Sequence, residues 1–321
     1  MSTENRRQAS LGDWIEGARL RTLPAAAAPV FVGAAAAFAL GAVHPARSVL
    51  ALLVALLLQV GVNYSNDYSD GIRGTDDQRS GPQRLTGSGL ARPRTVLKAA
   101  LGCFAVAGVL GLILVAISGT WPLIAAGIAA VAAAWFYTGG KHPYGYMGIG
   151  LSELFVFVFF GLMATVATTW THTPSAPWWL WLMASCLGLM SVAMLMVNNI
   201  RDIPTDSVTG KKTAAVRLGQ RASRILFSLC LLAPFSVFFA LPAAIGTHVI
   251  ICILASLAWI LAIFQPVYFV LSGVKGRDLI IVLKHTGFLT LGWALFVSAL
   301  LISSTSVSYT HLRAHETRHD L

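Results

Sequence analysis

The stretch NYSNDYSD at residues 63–70 follows a run, residues 49–62, that is almost wholly apolar. If the helix predicted for the apolar run continues, Asn63, Asp67 and Asp70 stand at i, i+4 and i+7 and share one face. Two carboxylates and an amide at the edge of a membrane-spanning helix are costly, which indicates a function. Oxygen ligands in this arrangement suit Mg²⁺, which commonly also binds substrate phosphates.

A second polar stretch, NNIRDIPTD at residues 198–206, follows another apolar run. Asn198 and Asp202 repeat the i, i+4 spacing of Asn63 and Asp67. Carboxylates brought close together would repel one another strongly unless cations lay between them. We therefore predict that one or two Mg²⁺ ions bridge a diphosphate. The predicted metal ligands are Asp67, Asp70, Asp202 and Asp206.

Basic side chains beside these stretches would complete a diphosphate site. Arginine can bind phosphate oxygens through two donors at once, whereas lysine supplies a point charge. The candidates are Arg73, Lys141, Arg201, Lys211 and Lys212. The other arginines of the first loop are interpreted as topology signals or lipid head-group contacts. They are Arg79, Arg84, Arg92 and Arg94.

The composition indicates a polytopic membrane protein. Of the 321 residues 56% are hydrophobic and only 11% are charged, whereas about a quarter of a soluble domain is charged. The four cysteines each stand alone in an apolar run, which excludes a disulfide framework or a cysteine metal site. The net charge of +10 does not indicate a nucleic-acid partner, because the basic residues concentrate on one side of the predicted membrane.

The apolar runs predict an all-α fold with nine membrane-spanning helices in one domain, residues 1–303. The predicted spans lie at about 23–43, 48–66, 96–117, 120–138, 149–169, 178–200, 223–244, 247–271 and 284–303. The polar segment 304–321 has no counterpart elsewhere in the chain. We expect it to be a disordered tail or foreign sequence.

The distribution of lysine and arginine predicts the orientation of these helices. With nine spans, 20 of the 23 basic residues fall on the same side as the N-terminus. That side is therefore predicted to be cytoplasmic, in the inner (plasma) membrane of the cell. Both acidic loops, 67–98 and 202–224, lie on it and look like versions of one another. We infer two pseudo-repeated halves of about four helices each, with a site where they face one another.

These motifs resemble those of the UbiA superfamily of intramembrane aromatic prenyltransferases, over residues 12–303. The segments that carry the resemblance are 21–24, 63–77, 137–140, 144–146 and 198–219. The last of these is similar to the 1,4-dihydroxy-2-naphthoate polyprenyltransferase branch. The resemblance implies a UbiA-like bundle that binds polyprenyl diphosphate, 1,4-dihydroxy-2-naphthoate and lipid. It implies Mg²⁺-dependent transfer of the polyprenyl group, with loss of CO₂ and diphosphate, to give demethylmenaquinone.

Residue roles follow from the same resemblance. The residues expected to be catalytic are Asp67, Asp70, Tyr137, Lys141, Asp202 and Asp206. Those expected to bind substrate are Arg21, Asn63, Arg73, Tyr144, Tyr146, Asn198, Arg201 and Lys211. Electron-rich rings would stabilise an allylic cation in a dry pocket. The candidate rings are Tyr68, Tyr137, Tyr144, Tyr146 and Phe155.

The chain departs from the family pattern at two places. A third aspartate is expected four residues after Asp70, where this chain has Gly74, and Asp76 or Asp77 is a possible substitute. A glutamate expected at the start of the fifth span comes two residues late, as Glu153. The roles of these acidic residues are therefore left open.

Three other interpretations compete. An enzyme of the same fold could use 4-hydroxybenzoate, homogentisate or a haem as acceptor. A CDP-alcohol phosphotransferase shares the start of the motif at residues 67–71 but requires further Ala-Arg and Asp residues that this segment lacks. A cation-coupled transporter would also have internal repeats, but its carboxylates would lie near the midplane of the membrane.

Overall fold

The computed structural model describes residues 9–75 and 84–319, with side chains to residue 304, and all regular structure in this part is helical. The elements are α1 (Leu11–Ala18), α2 (Leu23–Ala39), α3 (Pro45–Ile72), α4 (Pro93–Ser118), α5 (Leu123–Thr138), α6 (Leu151–Val156), α7 (Ala164–Trp170), α8 (Trp178–Thr209), α9 (Ala214–Leu232), α10 (Phe235–Ile245), α11 (Val249–Leu271) and α12 (Asp278–His319). A π-helical turn, Phe157–Met163, joins α6 to α7. Asp76, Asp77 and Arg79 lie outside the described residues.

The number of membrane-spanning helices agrees with the sequence prediction. Within the described residues, eight helical segments are long and apolar enough to cross a bilayer, and the shorter apolar α5 is the ninth. In three of these segments consecutive elements form one span: α1 with α2, α6 with the π-helical turn and α7, and α9 with α10. The chain is therefore a multi-pass membrane protein with an all-α fold.

The two long helices α3 and α8 end later than the hydrophobic runs suggest. They were expected to end near residues 66 and 200, but they continue to Ile72 and Thr209. Gly74 and Gly210 follow these ends with φ of 72° and 78°, a conformation that favours glycine and stops a helix. Gly74 therefore ends α3 at the position where the family pattern has a third aspartate.

The N-terminal segment contains a helix that the sequence analysis did not predict. Ser10 caps α1, and its side chain and that of Asp13 satisfy each other's backbone amides. The hydroxyl of Tyr64 on α3 donates to the backbone oxygen of Trp14, and the two rings meet edge to face. Helix α1 thereby packs against the acidic end of α3, which we call the motif end of the bundle.

Packing divides the bundle around α8. Helix α8 packs on α9, α12 and the π-helical turn, while α3 pairs with α4 and α2 pairs with α7 and α12. Helix α5 packs on α3, on α4 and on the turn Tyr144–Tyr146, and α6 and α7 pack on the α8–α2 side. The space between these two groups is the cavity described below.

The last helix passes the predicted domain boundary. Its backbone continues from Asp278 to His319, so residues 304–319 extend the helix instead of forming an irregular tail. The domain boundary at residue 303 and the foreign origin of residues 304–321 stay predictions.

The crossing of the π-helical turn with α8 depends on two glycines. A Cβ atom at Gly161 would lie 2.4 Å from the Cα of Gly188 and 2.7 Å from the backbone oxygen of Ala184. Because these neighbours are backbone atoms, we expect Gly161→Ala to destabilise the protein by about 1–3 kcal/mol. Thermal unfolding of the purified protein in detergent measures this effect. Gly102→Ala is the matched control, because nothing lies within 4 Å of a Cβ there, and an equal shift in both variants would contradict the prediction.

Candidate active site

A cavity of about 1030 Å³ lies between α5 and the α6–α7 segment. The wall of the cavity at the motif end is polar. Its other walls are formed mainly by apolar side chains of α2 to α7. On α3 the wall runs from Asn66 at the motif end to Ala51 fifteen positions earlier. This separation corresponds to about 22 Å along a helix. The cavity therefore joins one polar end to a long apolar interior.

The polar end of the cavity is rich in arginine. Its charged lining residues are Glu16, Arg19, Arg21, Arg84 and Arg201. Its amide side chains are Gln59, Asn63, Asn66 and Asn198. Four guanidinium groups and a single carboxylate make this end electropositive. Guanidinium groups pair well with phosphate and carboxylate oxygens, so the polar end is suited to an anionic head group.

Asp70 is the point at which the two acidic stretches meet. It is 3% exposed, and its carboxylate accepts a hydrogen bond of 2.7 Å from the hydroxyl of Tyr146. The ammonium of Lys211, which follows the second stretch, lies 3.8 Å from the same carboxylate. Arg84, from the first loop, also lies at 3.8 Å. The ends of α3 and α8 are therefore on the same side of the bundle and in contact through an ion pair.

Tyr146 organises the loop between α5 and α6 around Asp70. Burial, together with the neighbouring Asp70 carboxylate, raises the pKa of the Tyr146 hydroxyl, so that it stays protonated and donates. Lys211 lies 5.0 Å and Arg73 5.4 Å from the centre of its ring. The guanidinium of Arg73 also donates to the backbone oxygens of Thr138 and Gly140. Arg73 thus fixes the α5–α6 loop and does not line the cavity.

Asp67 holds the loop that follows α3. It is 1% exposed, and its two carboxylate oxygens accept the backbone N–H groups of Leu85 and Thr86, each at 2.9 Å. A buried carboxylate that receives two amides is a strong anchor. The sequence analysis assigned Asp67 to a metal, whereas the structure shows it bonded to the backbone of the loop that carries Arg84.

In the second stretch the neighbouring Arg201 and Asp202 pair with each other. The Nε and Nη2 atoms of Arg201 donate to the two carboxylate oxygens of Asp202 at 2.7 and 2.8 Å. Both residues are buried, as is Asp206 one turn later. Arg201 also lines the cavity, so this pair connects the acidic end of α8 to the polar wall.

The prediction that Asp67, Asp70, Asp202 and Asp206 hold one or two Mg²⁺ ions stays a prediction. Among the residues described, no three His, Cys, Asp or Glu side chains are grouped so that they could hold a metal ion. The reason is visible in the contacts above: Asp67 binds backbone amides, Asp70 lies beside Lys211 and Arg84, and Asp202 pairs with Arg201. Asp67, Asp70 and Asp202 are thus each satisfied by their own partners.

The i, i+4 spacing allows a second alignment of the two stretches. Asn63, predicted to be the counterpart of Asn198, donates to the backbone oxygen of Ala18 and to the hydroxyl of Thr22, and so joins α3 to the α1–α2 junction. Asn66 stands four residues before Asp70, as Asn198 stands four residues before Asp202. Asn63, Asn66 and Asn198 all line the cavity. Asn66 with Asp70 therefore matches Asn198 with Asp202 as well as Asn63 with Asp67 does.

Aromatic rings line the wall beside the polar end. Tyr137, Tyr144, Phe155 and Phe159 form a chain of edge-to-face contacts with centroids 4.9–6.0 Å apart. The hydroxyl of Tyr144 donates to the backbone oxygen of Ala133 at 2.8 Å, which fixes its ring. This wall is electron-rich, and such ring faces attract a cation.

The remaining predicted residues divide into those at the cavity and those away from it. Arg21 lines the polar end and lies 3.8 Å from Glu16. Lys141 is exposed and is not part of the wall. Arg84, interpreted from the sequence as a topology or lipid contact, is instead buried, lines the cavity and lies near Asp70. Nothing in its local sequence distinguishes it from Arg92 or Arg94, so only the fold reveals its position.

Comparison with known proteins gives a consistent result. The UbiA prenyltransferase family matches residues 26–279. A 1,4-dihydroxy-2-naphthoate octaprenyltransferase of Mycobacterium tuberculosis (strain ATCC 25618 / H37Rv) is 47% identical over 293 residues, which cover 91% of this chain and 98% of the relative. An enzyme with the same name from Escherichia coli (strain K12) is 36% identical, over 70% of this chain and 76% of the relative.

Solved structures share the fold at low sequence identity. A UbiA homologue from Aeropyrum pernix K1 superposes with a TM-score of 0.64 at 16% identity, covering 88% of this chain and 97% of that one. A UbiA homologue from Archaeoglobus fulgidus bound to GPP and Mg²⁺ has a TM-score of 0.58 at 15% identity, covering 89% and 99%. With most of its length matched by the family and a close relative matched almost end to end, this chain is a prenyltransferase that belongs to the UbiA prenyltransferase family.

Proposed function

We propose that this protein transfers a polyprenyl group from polyprenyl diphosphate to 1,4-dihydroxy-2-naphthoate, with loss of CO₂ and diphosphate, to give demethylmenaquinone. The observation that carries the proposal is the cavity, which joins an arginine-rich end to an apolar interior about 22 Å deep. A polyprenyl diphosphate has the matching character, with an anionic head and a long apolar tail. The names of the M. tuberculosis and E. coli relatives support naphthoate as the acceptor.

The polar end would bind the diphosphate head. Arg84 and Arg201 line this end, and each already lies beside a carboxylate of an acidic stretch. Lys211 adds a third positive charge next to Asp70. Guanidinium groups can bind two phosphate oxygens at once, and burial strengthens such contacts. Lys141, exposed on the α5–α6 loop, stays a predicted ligand of the head group.

The donor set fits Mg²⁺. Carboxylate and amide oxygens of Asp70, Asp202 and Asn66 are hard ligands, and Mg²⁺ typically uses one or two carboxylates together with substrate phosphates. A cage of three or more carboxylates is therefore not required. We propose Asp70 and Asp202 as the primary ligands, with Asp206 beside them and Asp67 acting through the loop that it anchors. When bound, Mg²⁺ would neutralise the charge that develops on the leaving diphosphate.

The aromatic wall would protect the reacting carbon. Ionisation of the allylic C–O bond leaves positive charge on the first carbon of the tail, which ring faces stabilise and water would destroy. Tyr137, Tyr144 and Phe155 line the cavity next to its polar end, where that carbon would lie. The naphthoate ring then attacks this carbon, and its carboxylate leaves as CO₂.

We further propose that the motif end faces the cytoplasm. Lysine and arginine concentrate on this side, which the positive-inside rule assigns to the cytoplasm. Both substrates would then enter from the inner leaflet of the plasma membrane or from the cytoplasm beside it.

The acceptor is tested directly with purified protein in detergent. We expect the enzyme with Mg²⁺ and a polyprenyl diphosphate to prenylate 1,4-dihydroxy-2-naphthoate and to leave 4-hydroxybenzoate and homogentisate unchanged. Naphthoate labelled in its carboxyl group should release one labelled CO₂ for each product formed. Prenylation of 4-hydroxybenzoate without reaction of the naphthoate would overturn the assignment, and a carboxylated product would remove the decarboxylation step.

Chelation of Mg²⁺ should stop the reaction, and added Mg²⁺ should restore it.

A substitution at Asp70 tests its proposed role as a metal ligand. We expect Asp70→Asn to lower kcat at least about 100-fold, since an amide binds Mg²⁺ poorly. The unfolding temperature should also fall, because Arg84 and Lys211 lose their buried counter-charge, so kcat is measured below the unfolding transition of the variant. Asp278→Asn is the matched control, because Asp278 is exposed in the first turn of α12, and it should keep full activity. Wild-type kcat in Asp70→Asn would exclude this residue as a metal ligand.

Asp67 should respond differently, because its carboxylate anchors backbone amides. In Asp67→Asn one of the two N–H groups would face an NH₂ donor in place of an acceptor, and the loss of such a buried bond costs about 1–3 kcal/mol. We expect a lower unfolding temperature and faster proteolysis of residues 84–91 than in the wild type. If Asp67→Asn were as stable as the wild type, the anchoring role would be wrong.

A further inference from the structure

One basic residue lies at the end of the bundle opposite to the acidic stretches. Arg47, in the first turn of α3, donates from Nη1 to the backbone oxygen of Thr171 and from Nη2 to that of Ile117, both at 2.7 Å. Ile117 is in the last turn of α4, and Thr171 directly follows α7. The last carbonyls of a helix have no partner within the helix, and they carry partial negative charge. A single guanidinium therefore ties together the ends of two helices.

A histidine continues this connection. The Nδ1 atom of His172 lies 2.9 Å from the backbone oxygen of Thr168, and its Nε2 lies 3.0 Å from the hydroxyl of Ser48. Because a carbonyl oxygen can only accept, Nδ1 carries the proton and Nε2 accepts from Ser48. Burial lowers the pKa of His172, which keeps this ring neutral. Ser48 and Arg47 are adjacent on α3, so both hold the end of α7.

These contacts lie directly behind the far end of the cavity. Thr168 and Thr171, whose backbone oxygens are held by His172 and Arg47, both line the cavity, as do Ala51, Leu114 and Val115. The distance along α3 from Asn66 to Ala51 is about 22 Å. A peptide unit of three bonds extends about 3.3–3.6 Å, so the four-bond repeat of an isoprenoid extends about 4.5–5 Å. The cavity is thus long enough for four to five isoprene units.

We propose that Arg47 closes the far end of the cavity and so sets how much of the prenyl tail the bundle encloses. This inference rests on the proposed use of a prenyl diphosphate donor, and it is independent of the acceptor. Tails of up to four or five units end at this floor. The rest of a longer tail leaves between α5 and the α6–α7 segment, which both line the cavity. Arg47 is therefore a positioning residue for donor length.

Substitutions at the floor test this proposal through the length of the donor. Ala51→Leu adds side-chain volume at the far end of the cavity. We expect the ratio of kcat/KM for geranylgeranyl diphosphate (four units) to that for geranyl diphosphate (two units) to fall about tenfold. The rate with geranyl diphosphate should fall less than that with geranylgeranyl diphosphate, because a two-unit tail ends well above the floor. Ala116→Leu is the matched control, since Ala116 lies exposed in the last turn of α4 and outside the cavity.

Removal of the guanidinium should act in the opposite direction. Arg47→Met keeps the length of the side chain but cannot donate to the two carbonyls. We expect the kcat/KM ratio of hexaprenyl diphosphate (six units) to geranylgeranyl diphosphate to rise about threefold as the floor loosens. Arg47→Lys should shift this ratio in the same direction, because one ammonium cannot bridge both helix ends. A loss of fold alone would lower all rates together and leave the ratio as it is.

The outcomes separate this proposal from the proposed function. Two results would contradict the proposal that Arg47 closes the far end of the cavity. One is an equal effect of Ala51→Leu on kcat/KM for both short donors. The other is an unchanged kcat/KM ratio of the six-unit to the four-unit donor in folded Arg47→Met and Arg47→Lys. Any acceptor that the wild type uses is suitable for these assays, so a wrong acceptor assignment does not affect them. Thermal stabilisation by geranylgeranyl and geranyl thiolodiphosphates, which do not react, gives the same comparison from binding alone. If the wild type is stabilised by neither compound, both the floor and the donor assignment fail.

Discussion

Buried carboxylates at the edge of an apolar bundle must be balanced, and this constraint organises the structure. An isolated charge removed from water is very costly, and breaking a buried pair exposes that cost again. Asp70 lies beside Lys211 and Arg84, and Asp202 beside Arg201. Because Lys211 follows α8 whereas Asp70 is on α3, charge balance also brings the two halves of the chain together. The same groups that allow the fold therefore assemble the site.

The location of these charges determines which ligand the cavity suits. Arginines occupy one end, and small apolar side chains with aromatic rings form the rest of the wall. A water-soluble anion would leave the apolar part empty, and a plain lipid tail would bring no anionic group to the arginine-rich end. Only an amphiphile with a strongly anionic head satisfies both parts. The family membership and the cavity thus lead to the same class of donor from independent starting points.

Much of this could be predicted from the sequence, because hydrophobic runs, basic loops and paired acidic stretches follow from the physics of the bilayer alone. The nine spans and the contact between the two acidic ends belong to this group. The roles of single residues did not follow, because they depend on which helix lies opposite. Asp67 is predicted from the sequence to be a metal ligand, and in the structure it accepts the backbone amides of Leu85 and Thr86. Arg84 is interpreted from the sequence as a topology signal, and in the structure it is buried. Helix α1 was missed because a short amphipathic helix is stabilised by packing more than by propensity.

The two ends of the bundle satisfy buried charge in different ways, and the difference matches their tasks. At the motif end the cations face carboxylates, so the partners can be exchanged for phosphate and metal without leaving a charge unpaired. At the opposite end Arg47 faces helix carbonyls, which are fixed parts of the backbone and cannot be exchanged. This explains why Arg47 lies on the side that the positive-inside rule disfavours. The charge of Arg47 is balanced by the carbonyls at two helix ends. Carbonyl partners that cannot be exchanged suit the closed end of a cavity, whereas carboxylate partners that can be exchanged suit a binding site.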